Sequence, residues 1–239
     1  TFTFNATTGA WTYTANNSQT AVQSLGAGQQ LTDSITVVSK DGTASQAITV
    51  TINGTNDAPV IGNATASVSE EGLVGGIADN VGNPADTTNS ATVSGTISVL
   101  DVDSVETVSL VAPAAALTSG GVAVNWVSSN GGHTLVGSAG GVEVIRATIT
   151  DAGAYTVTLS KAIDHPTANG ENIRAIDFGV QATDGSLTAL GTLKINVEDD
   201  SPVAAASTQT VAVPAQDTNV MLILDVSGSM GSGAGSKLQ

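Results

Sequence analysis

Three kinds of residue are scarce or missing in this chain of 239 residues, and each absence excludes a class of chemistry. Because there is no cysteine, the chain cannot form a disulfide, a thiolate metal site or a cysteine nucleophile. Only 6 lysines and arginines stand against 21 acidic residues, and the resulting net charge of −15 excludes nucleic acid as an expected partner. Aromatic residues make up only 3%, so Val, Ile, Leu and Ala must build the hydrophobic core.

Two kinds of segment are missing as well. No apolar run approaches the roughly 20 residues of a membrane-spanning helix, so we expect no membrane insertion. No stretch has the periodicity of an amphipathic helix, whereas Thr, Val, Ser and Gly are abundant, which predicts an all-β fold with many turns. No signal peptide opens the chain, and Thr1-Phe-Thr-Phe4 has the pattern of a strand interior, so we expect a fragment of a longer protein.

One stretch occurs twice and divides the chain. Asn53-Gly-Thr-Asn-Asp-Ala-Pro-Val60 is matched, less closely, by Asn196-Val-Glu-Asp-Asp-Ser-Pro-Val203. An Asp-Gly turn lies at the same distance upstream of each copy, beginning at Asp41 and at Asp184. A strand, a turn and an acidic exit that recur at the same spacing indicate a tandem repeat of domains.

The repeat predicts four parts of the chain. Residues 1–57 are interpreted as the C-terminal part of one β-sandwich, with a first hairpin of Phe2 and Phe4 against Trp11–Thr14. Its second pair of strands, Ser34–Val37 and Ala47–Ile52, flanks the Asp41 turn. Residues 58–202 are predicted to form a complete Greek-key β-sandwich, 203–218 a linker, and 219–239 the truncated start of an α/β domain.

Seven strands are predicted within residues 58–202, separated by turns rich in Gly, Asn, Asp and Ser. These strands are Thr92–Leu100, Thr107–Val111, Gly121–Val127, Val142–Thr150, Tyr155–Ser160, Ile173–Ala182 and Ala189–Val197.

Acidic side chains cluster at the ends of the predicted domains. Ca²⁺ takes about 6–8 oxygen ligands, and no single run matches an EF-hand loop, so several loops at a domain junction would have to assemble a site. The alternative for each residue is that Asp and Asn favour turn geometry. We favour metal binding for the set, because acids recur at equivalent places in two repeats and would repel one another if unneutralised. The candidate Ca²⁺ ligands are Asp41, Asn56, Asp57, Glu71, Asp101, Asp103, Asp184, Asp199 and Asp200.

Several of these residues lie in motifs that resemble a known family. Thr32-Asp-Ser-Ile-Thr-Val37, Asp41-Gly-Thr43 and Val50-Thr-Ile-Asn-Gly-Thr-Asn-Asp-Ala-Pro-Val60 resemble the VCBS repeat of giant bacterial adhesins, and residues 58–202 resemble longer repeats of type I-secreted, RTX-type proteins. Both are similar to cadherin-like, Ig-like sandwiches. In that family linker acids, a Glu near the domain start, an Asp-x-Asp and an Ala-x-Asp bind Ca²⁺ between domains. The resemblance implies these roles for Asn56 and Asp57, Glu71, Asp101 and Asp103, and Asp184.

A different pattern begins near the end of the chain. Val220-Met-Leu-Ile-Leu224 is a continuous apolar run, typical of a strand buried on both faces. One carboxylate and two hydroxyls follow at alternating positions, which can face a Mg²⁺ ion. The combination resembles the opening of a von Willebrand factor A domain. It implies that Asp225, Ser227 and Ser229 form an incomplete metal-ion-dependent adhesion site, which would bind Mg²⁺ only in a complete domain.

No catalytic constellation is apparent, so we expect no enzyme activity. His133 lies in a Gly-rich loop and His165 precedes Pro166, and both are predicted to be surface histidines without a nucleophile nearby. Ser227 does not fit the Gly-x-Ser-x-Gly elbow of hydrolases, because Asp225 occupies the first glycine position.

The sequence therefore predicts an extender region of a secreted adhesin on a bacterial cell surface, in the extracellular space. Ca²⁺ between the tandem repeats would stiffen the array for cell adhesion or biofilm formation. The expected partners are neighbouring repeats of the same chain, and host-cell or matrix glycans or proteins that other domains bind. The alternative is that the middle β-sandwich itself binds a glycan or a protein through loops such as Asp79–Ser90.

Overall fold

Alternating Thr and apolar residues form two hairpins within residues 1–57, as the pattern predicts. The first strand pairs with the second and the third with the fourth, all antiparallel. None of the hydrophobic side chains in this part is fully buried. The elements are β1 (Phe2–Phe4), β2 (Trp11–Tyr13), a single helical turn α1 (Thr20–Gln23), β3 (Gln30–Val38) and β4 (Ser45–Asn53).

The computed structural model describes residues 1–78, 87–166, 171–200 and 208–210. The predicted linker is therefore described only at 208–210, and the predicted start of an α/β domain at 219–239 lies outside the described residues, with Asp225, Ser227 and Ser229. Of the loop Asp79–Ser90, only 87–90 is described. No helix in the described ranges is long and apolar enough to cross a membrane.

Residues 58–200 contain twelve strands in the described ranges. The strands are β5 (Val60–Ile61), β6 (Ala64–Ser69), β7 (Thr92–Thr96), β8 (Val99–Leu100), β9 (Thr107–Val111), β10 (Thr118–Ser119), β11 (Val122–Ser129), β12 (Thr134–Ala139), β13 (Val142–Ile149), β14 (Ala154–Leu159), β15 (Ile173–Thr183) and β16 (Thr188–Glu198). Short 3-10 helices span Glu70–Gly72 and Asn130–Gly132.

Ten of these strands form two sheets around one core. The six-stranded sheet has the order β10-β11-β12-β13-β14-β7, and the four-stranded sheet has the order β6-β16-β15-β9. Pairing is antiparallel throughout the first sheet, whereas β6 runs parallel to β16 at the edge of the second. The prediction of an all-β fold is confirmed.

The shared core follows from the alternation of side chains along the strands. On β15, Ile176, Phe178, Val180 and Ala182 are at most 3% exposed, while the residues between them are more exposed. Trp126 of the six-stranded sheet meets Phe178 edge to face, with ring centroids 5.4 Å apart. Each large apolar side chain buried here contributes about 1.5–3 kcal/mol.

The predicted strands are confirmed with two kinds of correction. The predicted strand Thr92–Leu100 is interrupted between β7 and β8, where Ile97 is buried and its N–H donates to the carbonyl of Gly153. Four strands were not predicted, namely β5, β6, β10 and β12. Strand β12 contains Gly137, and a Cβ at this position would lie only 2.8 Å from the Trp126 ring. The glycine therefore accommodates the indole instead of ending the strand.

The β15–β16 hairpin separates two ends of the molecule. Asp184 lies in its turn, and β16 runs 11 residues from there to Glu198. At about 3.3 Å per residue, the two ends are about 33 Å apart. Because Ser69 of β6 lies opposite Glu198, Glu70 and Glu71 belong to the end that is distant from Asp184.

Candidate metal centres

Three segments that are distant in sequence meet where the chain leaves β4. They are the exit after β4, the loop between β8 and β9, and the turn between β15 and β16. The residues that they bring together are called the junction cluster, which consists of Asn56, Asp57, Asp101, Asp103 and Asp184.

Hydrogen bonds hold the junction cluster together. The backbone N–H of Asp57 donates to Oδ2 of Asp103 at 3.1 Å, and the backbone N–H of Asp103 donates to Oδ1 of Asp101 at 3.2 Å. The side-chain amide of Asn56 donates to Oδ2 of Asp184 at 2.7 Å. Five of the nine residues predicted as Ca²⁺ ligands therefore lie in one place.

Two carboxylate oxygens in this cluster are buried without a hydrogen-bond partner. They are Oδ2 of Asp101 and Oδ1 of Asp103, and the side chain of Ser104 lies next to Asp101. Leaving an ionised oxygen buried and unpaired costs several kcal/mol, which is why such atoms are nearly always paired in folded proteins. A bound cation would supply the missing partner, so the donor set fits a hard divalent ion such as Ca²⁺.

Two carboxylates of the junction cluster, those of Asp184 and Asp101, are held in their ionised form. Hydrogen bonds from the backbone of Leu187, the side chain of Asn56 and the backbone of Ser186 lower the pKa of Asp184. Burial acts to raise the pKa of Asp101, but hydrogen bonds from Asp103 and neighbouring groups outweigh it, so this pKa is also lowered. Both groups are therefore negatively charged at neutral pH.

A glycine-containing loop of the first part of the chain closes over the cluster. An added Cβ at Gly26 would lie 3.3 Å from Oδ2 of Asp103, and one at Gly54 would lie 2.3 Å from the carbonyl oxygen of Leu25. The loop thus approaches the carboxylates with its backbone, and a side chain at either glycine would displace it. Sequence reasoning missed Gly26 and Ser104; Ser104 could have been found because it directly follows the Asp-x-Asp motif.

Two predicted ligands lie elsewhere. Asp41 lies in the turn between β3 and β4, at the opposite end of that hairpin from Asn53, and its Oδ1 accepts hydrogen bonds from Ser39 and Thr43. These bonds lower the pKa of Asp41 to about 2. Its contacts are those of a turn-forming aspartate. Glu71 lies at the other end of β16, so it does not meet the exit after β4, where the resemblance places it with Asp101 and Asp103.

A second cluster occupies that other end. Glu70, His165 and Asp199 each offer one ligand atom, and these atoms all lie within 4.8 Å of one another. We call these three residues the far cluster. The predicted ligands Glu71, Asp199 and Asp200 belong to this end, where Oδ1 of Asp200 accepts the N–H of Ile77 at 3.0 Å.

The far cluster is more deeply buried than the sequence suggests. The His165 side chain is 5% exposed and the Glu70 side chain 6%, with Nε2 of His165 at 3.1 Å from Oε1 of Glu70. The prediction that His165 is a surface histidine is therefore wrong. No local sequence signal marks its burial, because the segment after β14 is placed by the backbone N–H of Ile163, which donates to the same Glu70 oxygen at 2.8 Å.

A neighbouring glutamate has a structural role. Glu198 is 6% exposed, and its carboxylate accepts the N–H groups of Thr87 at 3.1 Å and Thr88 at 3.3 Å, and the hydroxyl of Thr87. Both of its oxygens are thus paired within the protein, so Glu198 ties the segment before β7 to the end of β16.

No protein-family model matches this chain, and no curated protein matches it significantly.

Proposed function

We propose that this chain is a spacer region of a secreted adhesin on a bacterial cell surface, and that Ca²⁺ in the junction cluster stiffens it. The observation that carries the proposal is the pair of buried, unpaired carboxylate oxygens on Asp101 and Asp103. They lie where residues 1–57 meet the two-sheet part of the chain. The VCBS and cadherin-like motifs in the sequence agree with this place for an ion.

The residues of the junction cluster provide the chemistry that Ca²⁺ requires. Asp101 and Asp103 would bind the ion through their unpaired oxygens, and Asp57, Asp184 and Asn56 lie beside them with further oxygen atoms. All are oxygen donors, and four of the five are acids. The ion would offset the repulsion among these carboxylates, which otherwise destabilises their close approach.

Binding at this place would have a mechanical effect. The ligands come from the β4 exit, from the β8–β9 loop and from the β15–β16 turn, so one ion would join both parts of the chain. Bending at the β4 exit would then break metal–ligand bonds. In an exported array of such repeats, the stiffened junctions would hold a binding module away from the cell, and the spacer itself needs no catalytic group.

Calorimetry and thermal melting of the full chain test this proposal. Ca²⁺ at 100 times its Kd stabilises the folded state by about 2.7 kcal/mol, which corresponds to a Tm increase of about 5–10 °C over the melt in chelator. The double variant Asp101→Asn, Asp103→Asn should lose this increase, while its Tm in chelator stays equal to that of the wild type or rises.

The matched control is Asp177→Asn. Asp177 is an exposed acid on β15 that lies outside both clusters, 3.8 Å from Lys194, so its loss should leave the calcium response intact. The absence of any binding heat, together with an unchanged Tm after chelation, would overturn the proposal.

A further inference from the structure

We infer that the far cluster binds a divalent transition-metal ion such as Zn²⁺ through Glu70, His165 and Asp199. The ligands come from three places in the chain, namely after β6, after β14 and after β16. This site is separate from the junction cluster and does not depend on the proposed calcium function.

The spacing of the ligand atoms fits one small ion. Two ligands that bind Zn²⁺ at about 2.0–2.2 Å in tetrahedral geometry stand about 3.3–3.6 Å apart, so atoms that lie about 3–5 Å apart need only small shifts to bind one ion. Nε2 of His165 and Oε1 of Glu70 are 3.1 Å apart, and the ligand atom of Asp199 lies within 4.8 Å of both. Only a small movement of Asp199 would complete the set.

The histidine is nearly enclosed by the protein. Its side chain is 5% exposed, and Nε2 faces Oε1 of Glu70. Without a metal, an imidazolium–carboxylate pair at this place costs the desolvation of two charges. A neutral imidazole can give Nε2 to a metal and keep its proton on Nδ1, and the N–H of Ile163 already donates to the Glu70 carboxylate.

The surroundings favour a cation. Four glutamates at this end, Glu70, Glu71, Glu171 and Glu198, are each only 5–6% exposed. Within the described ranges no lysine or arginine forms an ion pair with Glu70, Glu198 or Asp199. Glu70 pairs instead with His165. A cleft of about 350 Å³ that is lined in part by Glu70 and Asp200 adjoins the far cluster.

The ligand chemistry selects the class of ion. Ca²⁺ and Mg²⁺ bind oxygen ligands, whereas an imidazole nitrogen beside carboxylates suits Zn²⁺ and its neighbours among the transition metals. The junction cluster offers oxygen atoms alone, and the far cluster adds the nitrogen of His165. The two ends of the domain therefore differ in the metals that they prefer.

The test is a Zn²⁺ titration of the metal-free full chain by calorimetry, with and without excess Ca²⁺. We expect one Zn²⁺ per chain, little competition from Ca²⁺, and a loss of affinity of at least tenfold in His165→Asn. The matched control is His133→Asn, because the chain has two histidines and His133 pairs with Asp151 outside the cluster. The junction variant Asp101→Asn, Asp103→Asn should lose Ca²⁺ binding and keep Zn²⁺ binding, which separates this inference from the proposed function.

A measurement on the unaltered chain covers the case in which His165→Asn does not fold. The ring resonances of the two histidines can be followed by NMR during the Zn²⁺ titration, and those of His165 should shift while those of His133 stay in place. The inference would be overturned if the wild type did not bind Zn²⁺, or if His165→Asn bound Zn²⁺ equally well. It would also be overturned if an equal concentration of Ca²⁺ displaced the Zn²⁺, or if only the His133 resonances shifted.

Discussion

Gly153 illustrates how a single backbone conformation supports the fold. It lies in the turn between β13 and β14 with φ of +77°, a region that residues with a Cβ rarely adopt. A Cβ at this position would lie 2.0 Å from the carbonyl oxygen of Ile97. The carbonyl of Gly153 accepts the N–H of Ile97, so this glycine joins the hairpin to the break between β7 and β8.

We predict that Gly153→Ala destabilises the chain by about 3 kcal/mol or more, because steric overlap adds to the cost of a positive φ. Gly140→Ala is the matched control. Gly140 also lies in a hairpin turn with positive φ, at +57°, but has no atom within 4 Å of an added Cβ, so it should cost only about 1–2 kcal/mol. Urea unfolding followed by circular dichroism measures both, and equal losses would contradict the prediction.

At the scale of single residues, some of the acids that the sequence placed together do meet in the fold and others do not. Asp101 and Asp103 were recognisable as an Asp-x-Asp motif. They lie in the loop between β8 and β9, where Oδ2 of Asp103 accepts the backbone N–H of Asp57. Glu71 was misplaced because nothing in its local sequence reveals that β6 pairs in parallel with β16, which carries it to the other end.

Between elements, one ion pair ties the β11–β12 connection to the β13–β14 turn. Nε2 of His133 lies 2.9 Å from Oδ1 of Asp151, and Nδ1 of His133 lies 2.8 Å from the carbonyl oxygen of Asn130. Both ring nitrogens face acceptors, which only the protonated imidazolium can satisfy. The same carboxylate oxygen accepts the N–H of Val108, so Asp151 also joins β9 to this turn.

These contacts predict a pH dependence of stability. The pKa of His133 is raised, chiefly by its hydrogen bond with Asp151. Its contribution to the stability of the fold is therefore fully present below the ordinary pKa of about 6.5, and it is lost as the pH rises through the pKa that His133 has in the folded state. The pKa of Asp151 is lowered by hydrogen bonds from Val108 and His133, so its contribution is lost as pH falls below about 4. The pair should therefore stabilise most between about pH 4 and pH 6.5.

Urea unfolding of the wild type and of His133→Asn between pH 6 and pH 9 measures the effect. Because the pair is partly exposed, we expect a loss of less than about 1 kcal/mol in the wild type as pH rises, and a smaller slope in the variant. The pKa of His165 is raised too, despite the opposing effect of its burial. The free energy of unfolding of His133→Asn should therefore still fall somewhat as the pH rises. An unchanged slope in that variant would contradict the assignment to His133.

For the whole molecule, the β15–β16 hairpin determines where the two clusters lie. Its 11 residue pairs place Asp184 at one end and Glu198 with Asp199 at the other. Ca²⁺ at the first end would join residues 1–57 to the two sheets, and a metal at the second end would join the segments that follow β6, β14 and β16. Each proposed ion therefore acts at a separate end of the same domain.

Small-angle X-ray scattering of the full chain tests the first of these effects. If Ca²⁺ restricts bending at the β4 exit, the distribution of interatomic distances within the molecule should be narrower in Ca²⁺ than in chelator. The reason is that residues 1–57 and the two sheets then adopt fewer relative orientations. The double variant Asp101→Asn, Asp103→Asn should scatter alike in both conditions. Scattering of the wild type that does not change with Ca²⁺ would show that the junction is not stiffened.

The sequence by itself determined the all-β class and most strand positions, because alternation of Thr with Val and Ile is a local property of the chain. It also determined the acidic exits and the Asp-x-Asp motif. Only the tertiary structure decided which acids meet, since the pairing of β6 with β16 and the approach of Gly26 to Asp103 depend on contacts between distant segments. It alone decided the burial of His165 beside Glu70, because a lone histidine before a proline has the same local pattern whether it lies in a core or on a surface.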